Sequence, residues 1–163
     1  IREIGEIARE RDLLFMVDAA QTMGVCRIDV EDYNIDMLAF TGHKGPYGPP
    51  GSGGLYVGER VDLRAWREGG TGFEPESLSQ PETFPYKLES GTPNSVGIIG
   101  LKTGLEFCIK EGIDKIGHHE RKLVLRMIRA LETDHRFEIY GCLDGDRKVG
   151  IVSINIKGLK LFK

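Results

Sequence analysis

The sequence predicts an α/β fold in which a mostly parallel sheet is flanked by helices, and three observations lead to this prediction. Two apolar runs of strand length occupy residues 13–17 and 37–40. A stretch whose apolar residues recur at helical spacing precedes them. Each run stops at a polar residue, Asp18 and Thr41 respectively. Because ligands of open α/β sheets bind outside the carboxyl ends of the strands, we expect the functional site at these two strand ends.

The first part of the chain divides into elements by the same patterns. Ile4, Ile7 and Ala8 lie on one face of a helix, and glycines and prolines mark the loops. The predicted elements are a helix over 1–11, strands over 13–17 and 37–40, a short strand or loop over 25–29, a turn over 32–34, a third apolar run over 55–57 and a long loop over 67–93. So long a loop in a compact protein is usually functional or lies at an interface.

The second part of the sequence, from residue 94 onwards, contains two predicted helices followed by two predicted strands. The predicted elements are a helix capped by Asn94 or Ser95 and ending near Gly112, a second helix from Asp114 to about residue 131, a strand over 137–141, a turn over 144–147 and a strand over 149–156. Two helices followed by two strands suggest an α+β unit. We therefore predict a boundary near Gly112, with domains over residues 1–112 and 113–163.

Composition narrows the class of protein. The 163 residues carry a net charge of −3 with 29% charged residues, which does not favour a nucleic-acid partner or an anionic membrane surface. No apolar run approaches the length of a membrane span. The cysteines Cys26, Cys108 and Cys142 are isolated, which favours a reducing cytoplasm.

Lys44 and Asp18 are the residues whose positions at strand ends indicate a catalytic or cofactor-binding role. Lys44 closes a Thr-Gly-His-Lys sequence directly after the second strand. An ammonium buried at that position would be penalised unless it paired or lost its proton, and a lowered pKa is what a Schiff-base lysine needs. A carboxylate at the end of an apolar strand, as at Asp18, is expected to have a cationic partner or to remain protonated. The alternative for Asp18 is a residue that caps the following turn.

Four motifs in order resemble the class V aminotransferase family, which depends on pyridoxal phosphate, and within it the cysteine desulfurases. They are Val-Asp-Ala-Ala-Gln at 17–21, Thr-Gly-His-Lys at 41–44, Gly-Pro-Pro-Gly-Ser-Gly-Gly-Leu-Tyr at 48–56 and Glu-Ser-Gly-Thr-Pro-Asn at 89–94. The resemblance implies a fold-type-I enzyme. It also implies that residues 1–112 are the second half of the large cofactor domain and that 113–163 begin the small domain, since family members are much longer.

The resemblance also implies the role of each site residue. Lys44 would form the imine with the cofactor, and Asp18 would face the pyridine nitrogen, so that the ring acts as an electron sink. The small Ala20 would pack on the ring, and Gln21 would bond its phenolic oxygen. The remaining implied residues bind phosphate: Thr41 and His43, and Thr92 towards the cofactor of a neighbouring subunit, which implies a homodimer. Glycine at position 91 is expected to allow a close backbone approach.

Other kinds of site are not supported. The Gly-rich stretch at 51–54 lacks the Gly-Lys-Ser/Thr of a phosphate-binding P-loop. His118 and His119 are adjacent on a predicted helix and point about 100° apart, so we expect no metal site there. None of the three cysteines matches the family's catalytic cysteine loop, and none is assigned to catalysis.

The implied function is that of a cysteine desulfurase, which converts L-cysteine to L-alanine and transfers sulfur to an enzyme cysteine, with a sulfur-acceptor protein as a possible partner. Selenocysteine lyase and class V transaminase activity remain alternatives, because residues that distinguish them are expected outside this sequence. A third alternative is a folded piece without catalytic activity. We expect the 163-residue chain alone to be inactive.

Overall fold

The computed structural model describes residues 1–72 and 76–159, and the predicted loop proline Pro75 lies outside them. Its helices and strands, in chain order, are α1 (Arg2–Glu10), β1 (Met16–Asp18), β2 (Met37–Thr41), β3 (Gly53–Val57), α2 (Ser95–Glu111), α3 (Ile113–Glu132), β4 (Phe137–Tyr140) and β5 (Ser153–Ile156). Short 3-10 turns occupy Tyr86–Leu88 and Gly145–Arg147. The α/β class is confirmed.

One sheet carries the two strand ends that the sequence singles out. Its strand order is β1-β2-β3, with β2 in the middle. β1 and β2 are parallel, and Asp18 pairs with Ala39, so both strands end at the same edge of the sheet. β3 is antiparallel to β2 and returns the chain after the Gly-rich loop. The parallel pair is the arrangement expected from the sequence.

β1 is shorter than predicted. It begins at Met16, whereas Leu13 and Leu14 are exposed loop residues. The N–H of Phe15 donates to the Asp36 carboxylate (2.9 Å), so a side chain takes the place of a ladder bond there. Asp36 is only 3% exposed and also accepts from the guanidinium of Arg60 (3.3 Å), which makes it a buried, paired carboxylate.

Two apolar clusters hold the strands and helices together. The first lies under the sheet and contains Ala19, Ile35 and Leu38. The second contains Val25, Cys108 and Ile116, and therefore joins the loop after β1 to α2 and α3. The residues that α2 buries recur at helical spacing and are Gly97, Leu101, Gly104 and Cys108. Half of them are glycines, so backbone from elsewhere in the chain can approach this face of the helix closely.

The second part of the chain contains the predicted helix and hairpin. β4 and β5 are antiparallel over four residue pairs, from Phe137 with Ile156 to Tyr140 with Ser153. The predicted strand over 149–156 is therefore shorter in the structure, since β4 ends at Tyr140 and residues 149–152 have no strand partner among the described residues. α2 and α3 meet at Gly112. The division into domains at that residue stays a prediction.

Candidate functional site

Asp18 ends β1 and organises the turn that follows. Its Oδ1 accepts a hydrogen bond from the N–H of Ala20 (2.8 Å), which is the turn-capping role considered above. The side chain is exposed, and no basic side chain of the described residues forms a salt bridge with it. Among the described residues Asp18 thus has no cationic partner, and its exposed carboxylate is solvated by water.

Lys44 lies in the turn after β2, where its carbonyl accepts from the N–H of Tyr47 (2.9 Å). Its side chain is exposed. The expected desolvation of the ammonium is therefore wrong for the described chain, because no apolar segment of residues 1–72 and 76–159 covers it. The proposed role of the lysine as an imine-forming amine therefore rests on its place in the Thr-Gly-His-Lys sequence after β2, and not on burial.

The loop that carries Lys44 is held in two places: at its neck, where Gly42 and Ser52 meet, and along α2. At the neck, the N–H of Gly42 donates to the carbonyl of Ser52 (2.7 Å). Tyr47 adopts a left-handed backbone conformation (φ 56°), which is unusual for a large residue, and its ring packs edge-on against Phe107 of α2 at 5.3 Å between centroids. The thiol of Cys108 donates to the carbonyl of Gly45 (3.4 Å). The position of Lys44 is thus set largely by contacts with α2.

Gln21 and Lys44 are brought together by a close approach of two glycines. A Cβ at Gly24 would lie 2.5 Å from the carbonyl carbon of Gly45, so the turn after β1 and the turn after β2 touch through their backbones. Gln21 and Lys44 consequently line one cavity of about 250 Å³. Asp18 lines a different cavity, of about 580 Å³, together with Cys26 and Tyr33.

Glu120 lines the cavity of Gln21 and Lys44, and sequence reasoning did not single it out as a site residue. It reaches the cavity because α3 packs Ile116 and Gly117 against Val25. A Cβ at Gly117 would overlap the carbonyl oxygen of Val25. No signal in the sequence indicates this contact, since it joins segments about ninety residues apart.

Thr41 and His43 form a donor pair at the carboxyl end of β2. The Thr41 Oγ1 and His43 Nδ1 atoms are 2.8 Å apart. If the imidazole is neutral, one of the two polar hydrogens of the pair is used between Thr41 and His43. The other, on Nε2 or on the hydroxyl, can donate to an anion. With an imidazolium, both remain available, because Nδ1–H donates to the hydroxyl oxygen. The pair is therefore suited to binding a phosphate group.

Ala20 and Thr92 complete the predicted set. Ala20 is half-buried in the turn after Asp18. Thr92 is exposed in the bend before α2 and lines neither of the two cavities above. Gly91 has no atom of the described residues within 4 Å of where a Cβ would lie, and its φ of 82° is one that glycine adopts readily, so the close approach expected there stays a prediction. The bend is fixed by a hydrogen bond from the N–H of Gly91 to the carbonyl of Gly70 (2.9 Å).

Burial favours the protonated form of two of the three thiols, those of Cys26 and Cys108. Burial raises the pKa of the Cys26 thiol, although nearby Arg121 acts in the opposite direction. Burial also raises the pKa of the Cys108 thiol. A raised pKa keeps the thiol protonated near neutral pH, and the thiolate is the reactive form. Cys142 is exposed.

The described residues contain neither a metal-binding cluster nor a membrane-spanning helix. Among residues 1–72 and 76–159, no three His, Cys, Asp or Glu side chains lie close enough to hold a metal ion. His118 and His119 are exposed on α3. No helix in the part of the chain that the structure describes is long and apolar enough to cross a membrane.

Comparison with known proteins places these features in a family. The model of the family Aminotransferase class-V matches residues 1–162. A protein described as a probable cysteine desulfurase from Pyrococcus abyssi is 40% identical over 166 residues, which cover 98% of this chain and 40% of the relative. A cysteine desulfurase from Salmonella newport is 34% identical and is matched over 37% of its length by 92% of this chain.

Solved structures agree with the sequence comparison. The chain is similar to an apo cysteine desulfurase from Thermococcus onnurineus NA1, with a TM-score of 0.78 and 34% identity over 98% of this chain and 40% of the other. It is also similar to a cysteine desulfurase from Escherichia coli, with a TM-score of 0.78 and 28% identity over 95% of this chain and 39% of the other. The chain spans about 40% of the length of these relatives. It belongs to the class-V aminotransferase family and has the fold of part of the fold-type-I cysteine desulfurases.

Proposed function

We propose that this chain is part of a pyridoxal-phosphate-dependent cysteine desulfurase. The reaction breaks the C–S bond of L-cysteine and forms an S–S bond with an enzyme thiol, so that L-cysteine and the thiol yield L-alanine and a persulfide. The observation that best supports the proposal is the parallel pairing of β1 and β2, which places Asp18 and the Thr41–Lys44 turn at one sheet edge. The similarity to proteins described as cysteine desulfurases supports the choice of substrate.

The side chains at this edge suit the proposed cofactor chemically. An amine (Lys44) is available for the aldehyde and a carboxylate (Asp18) for the pyridine nitrogen. The Thr41–His43 pair, whose polar atoms are 2.8 Å apart, offers hydrogen-bond donors to a phosphate group. A small side chain at Ala20 leaves room for a flat ring.

Each residue then has a defined task. When bound, pyridoxal phosphate supplies an electron sink for the charge that develops at the substrate α-carbon. Lys44 would hold the cofactor and move the proton at that carbon through its Nζ. Asp18 would hold a proton on the ring nitrogen, while Gln21 would donate from its amide to the ring oxygen. Thr41 and His43 would bind the phosphate, and Ala20 would contact the ring face.

Partners and location are part of the same proposal. Thr92 is exposed and lines neither of the two cavities, and we propose that it binds the cofactor phosphate of a second subunit in a homodimer. We also propose a cytoplasmic enzyme that passes its sulfur to an acceptor protein. The 163-residue chain by itself is proposed to be inactive, because Asp18 and Lys44 are both exposed in it and it spans about 40% of its relatives.

The test uses the full-length protein that carries this sequence. After incubation with pyridoxal phosphate and treatment with borohydride, peptide mapping should place the pyridoxyl group on Lys44. Lys44→Arg should abolish release of alanine and sulfide from L-cysteine, whereas the matched change Lys102→Arg, at an exposed position of α2, should not. Labelling of another lysine in the wild type would contradict the site. If Lys44 is labelled but the protein turns over only selenocysteine, or only an amino donor with a keto acid, the proposed cofactor site stands and the proposed reaction is replaced by that of a selenocysteine lyase or a transaminase.

A further inference from the structure

The side chain of Asn94 joins two parts of the proposed site that are far apart in sequence. Its Oδ1 accepts from the N–H of Gly97 (3.0 Å) and so caps α2. Its Nδ2 donates to the carbonyl of Gly51 (3.0 Å), in the Gly-rich loop that begins after Lys44. An amide is suited to this double contact, because it carries an acceptor and a donor on one rigid group.

The Gly51 end of the bridge lies beside the neck of the Lys44 loop. Gly51 precedes Ser52, whose carbonyl holds the N–H of Gly42 (2.7 Å). The hydroxyl of Ser52 donates to the carbonyl of Pro49 (2.6 Å), within the same loop. A displacement of Gly51 is therefore transmitted to the neck at which β2 passes into the Lys44 turn.

The other end of the bridge fixes the bend that contains Thr92. Thr92 is two residues before Asn94, and Pro93 between them restricts the backbone. A cap on α2 alone would fix this bend relative to the helix. The bond to Gly51 additionally fixes it relative to the Lys44 loop.

We propose that Asn94 is a positioning residue that sets the distance between Thr92, which would donate a hydrogen bond to the cofactor phosphate, and Lys44, which would form the imine. The inference rests on the proposed function, since that distance matters only if both residues bind pyridoxal phosphate. If Thr92 serves the cofactor of the neighbouring subunit, Asn94 links the lysine of one site to the phosphate of the other.

Asn94→Ser and Asn94→Asp separate the bridge from the cap. Serine and aspartate both cap helices as well as asparagine does, but serine is too short to span to Gly51, and aspartate has no donor. In the full-length protein we expect each variant to bind pyridoxal phosphate about fivefold more weakly, because the free energy of about one hydrogen bond no longer favours the Thr92–Lys44 distance that the cofactor requires. Because the bond to Gly51 is present without the cofactor, the unfolding midpoint of the cofactor-free protein should fall slightly in both variants while the fold is retained.

Equilibrium dialysis against pyridoxal phosphate provides the readout, with Asn155→Ser on β5 as a matched control that should bind as the wild type does. Weaker binding by both Asn94 variants, each still folded under the conditions of the dialysis, supports the proposal. Wild-type affinity in either folded variant overturns it and leaves Asn94 as a helix cap only. If Asn94→Ser unfolds, Asn94→Asp decides. A wild-type protein that does not bind the cofactor refutes the proposed function instead.

Discussion

Gly104→Ala tests whether α2 positions the lysine loop, because local and tertiary effects oppose each other there. In a helix interior, alanine is favoured over glycine by about 1 kcal/mol, so propensity alone predicts stabilisation. The structure predicts the opposite. A Cβ at Gly104 would lie 2.8 Å from the carbonyl carbon of Tyr47 and closer still to the carbonyl oxygen of Pro46. Both are backbone atoms that no rotamer change can move.

The size of the effect follows from these contacts. The Cβ falls about 0.6 Å short of the 3.4 Å of ordinary contact at the carbonyl carbon of Tyr47, and further short at the carbonyl oxygen of Pro46, so α2 and the Lys44 loop must separate by more than about 0.6 Å. Overpacking of this kind costs about 1–3 kcal/mol, which offsets or exceeds the gain in propensity. We expect a net loss of stability of up to about 2 kcal/mol. Because a misplacement of roughly 1 Å can reduce turnover on the order of 10²-fold, activity should fall more than stability.

The assay combines urea unfolding with steady-state release of alanine and sulfide by the full-length protein. The control is Thr103→Ala, at the adjacent, exposed position of α2, which receives the same side chain without meeting the loop. It should change stability by no more than about 0.5 kcal/mol and leave turnover unchanged. If Gly104→Ala is as stable and active as the wild type, the loop is not held by this face of the helix.

Three further predictions, which use four substitutions, test separate parts of the structure. Asp18→Asn keeps an oxygen for the turn but cannot hold a ring proton as a carboxylate does, so turnover should fall on the order of 10²-fold while cofactor affinity is retained; unchanged turnover would contradict the role. Arg60→Leu should destabilise the protein by about 2–3 kcal/mol in urea unfolding, because it leaves the buried Asp36 carboxylate without its cation. Asp12→Ala, which removes the exposed partner of the same guanidinium, should cost less than about 1 kcal/mol, and equal losses would refute this distinction. The guanidinium of Arg136 lowers the pKa of Asp134 from 3.8 to about 2, so the ion pair stabilises the fold above about pH 4 and this stabilisation is lost as the pH falls through 2. The unfolding midpoint of Asp134→Asn should therefore approach that of the wild type as the pH is lowered over this range. A difference between the two midpoints that does not change with pH would contradict this prediction.

The sequence by itself determined the elements and the type of site. Apolar periodicity is a property of neighbouring residues, and so it located α1, β2, α3 and β4 to within a few residues. The cap of α2 was narrowed to Asn94 or Ser95, and the structure selects Asn94, whose oxygen accepts from the N–H of Gly97. The end of each parallel strand was marked by a polar residue, and the pairing of β1 with β2 brings those ends to one edge.

Only the tertiary structure decided how the site is built. The exposure of Lys44 and Asp18 depends on what packs over them, and strand-end position does not specify that. The bond between Asn94 and Gly51 joins residues 43 apart in sequence, and Glu120 reaches the cavity of Lys44 through the packing of α3 on Val25. Helix propensity alone predicts that Gly104 destabilises α2, whereas in the fold the absence of a side chain at Gly104 leaves space for the lysine loop. Such contacts arise when distant segments compete for the same volume, and no local pattern of residues records which of them will meet.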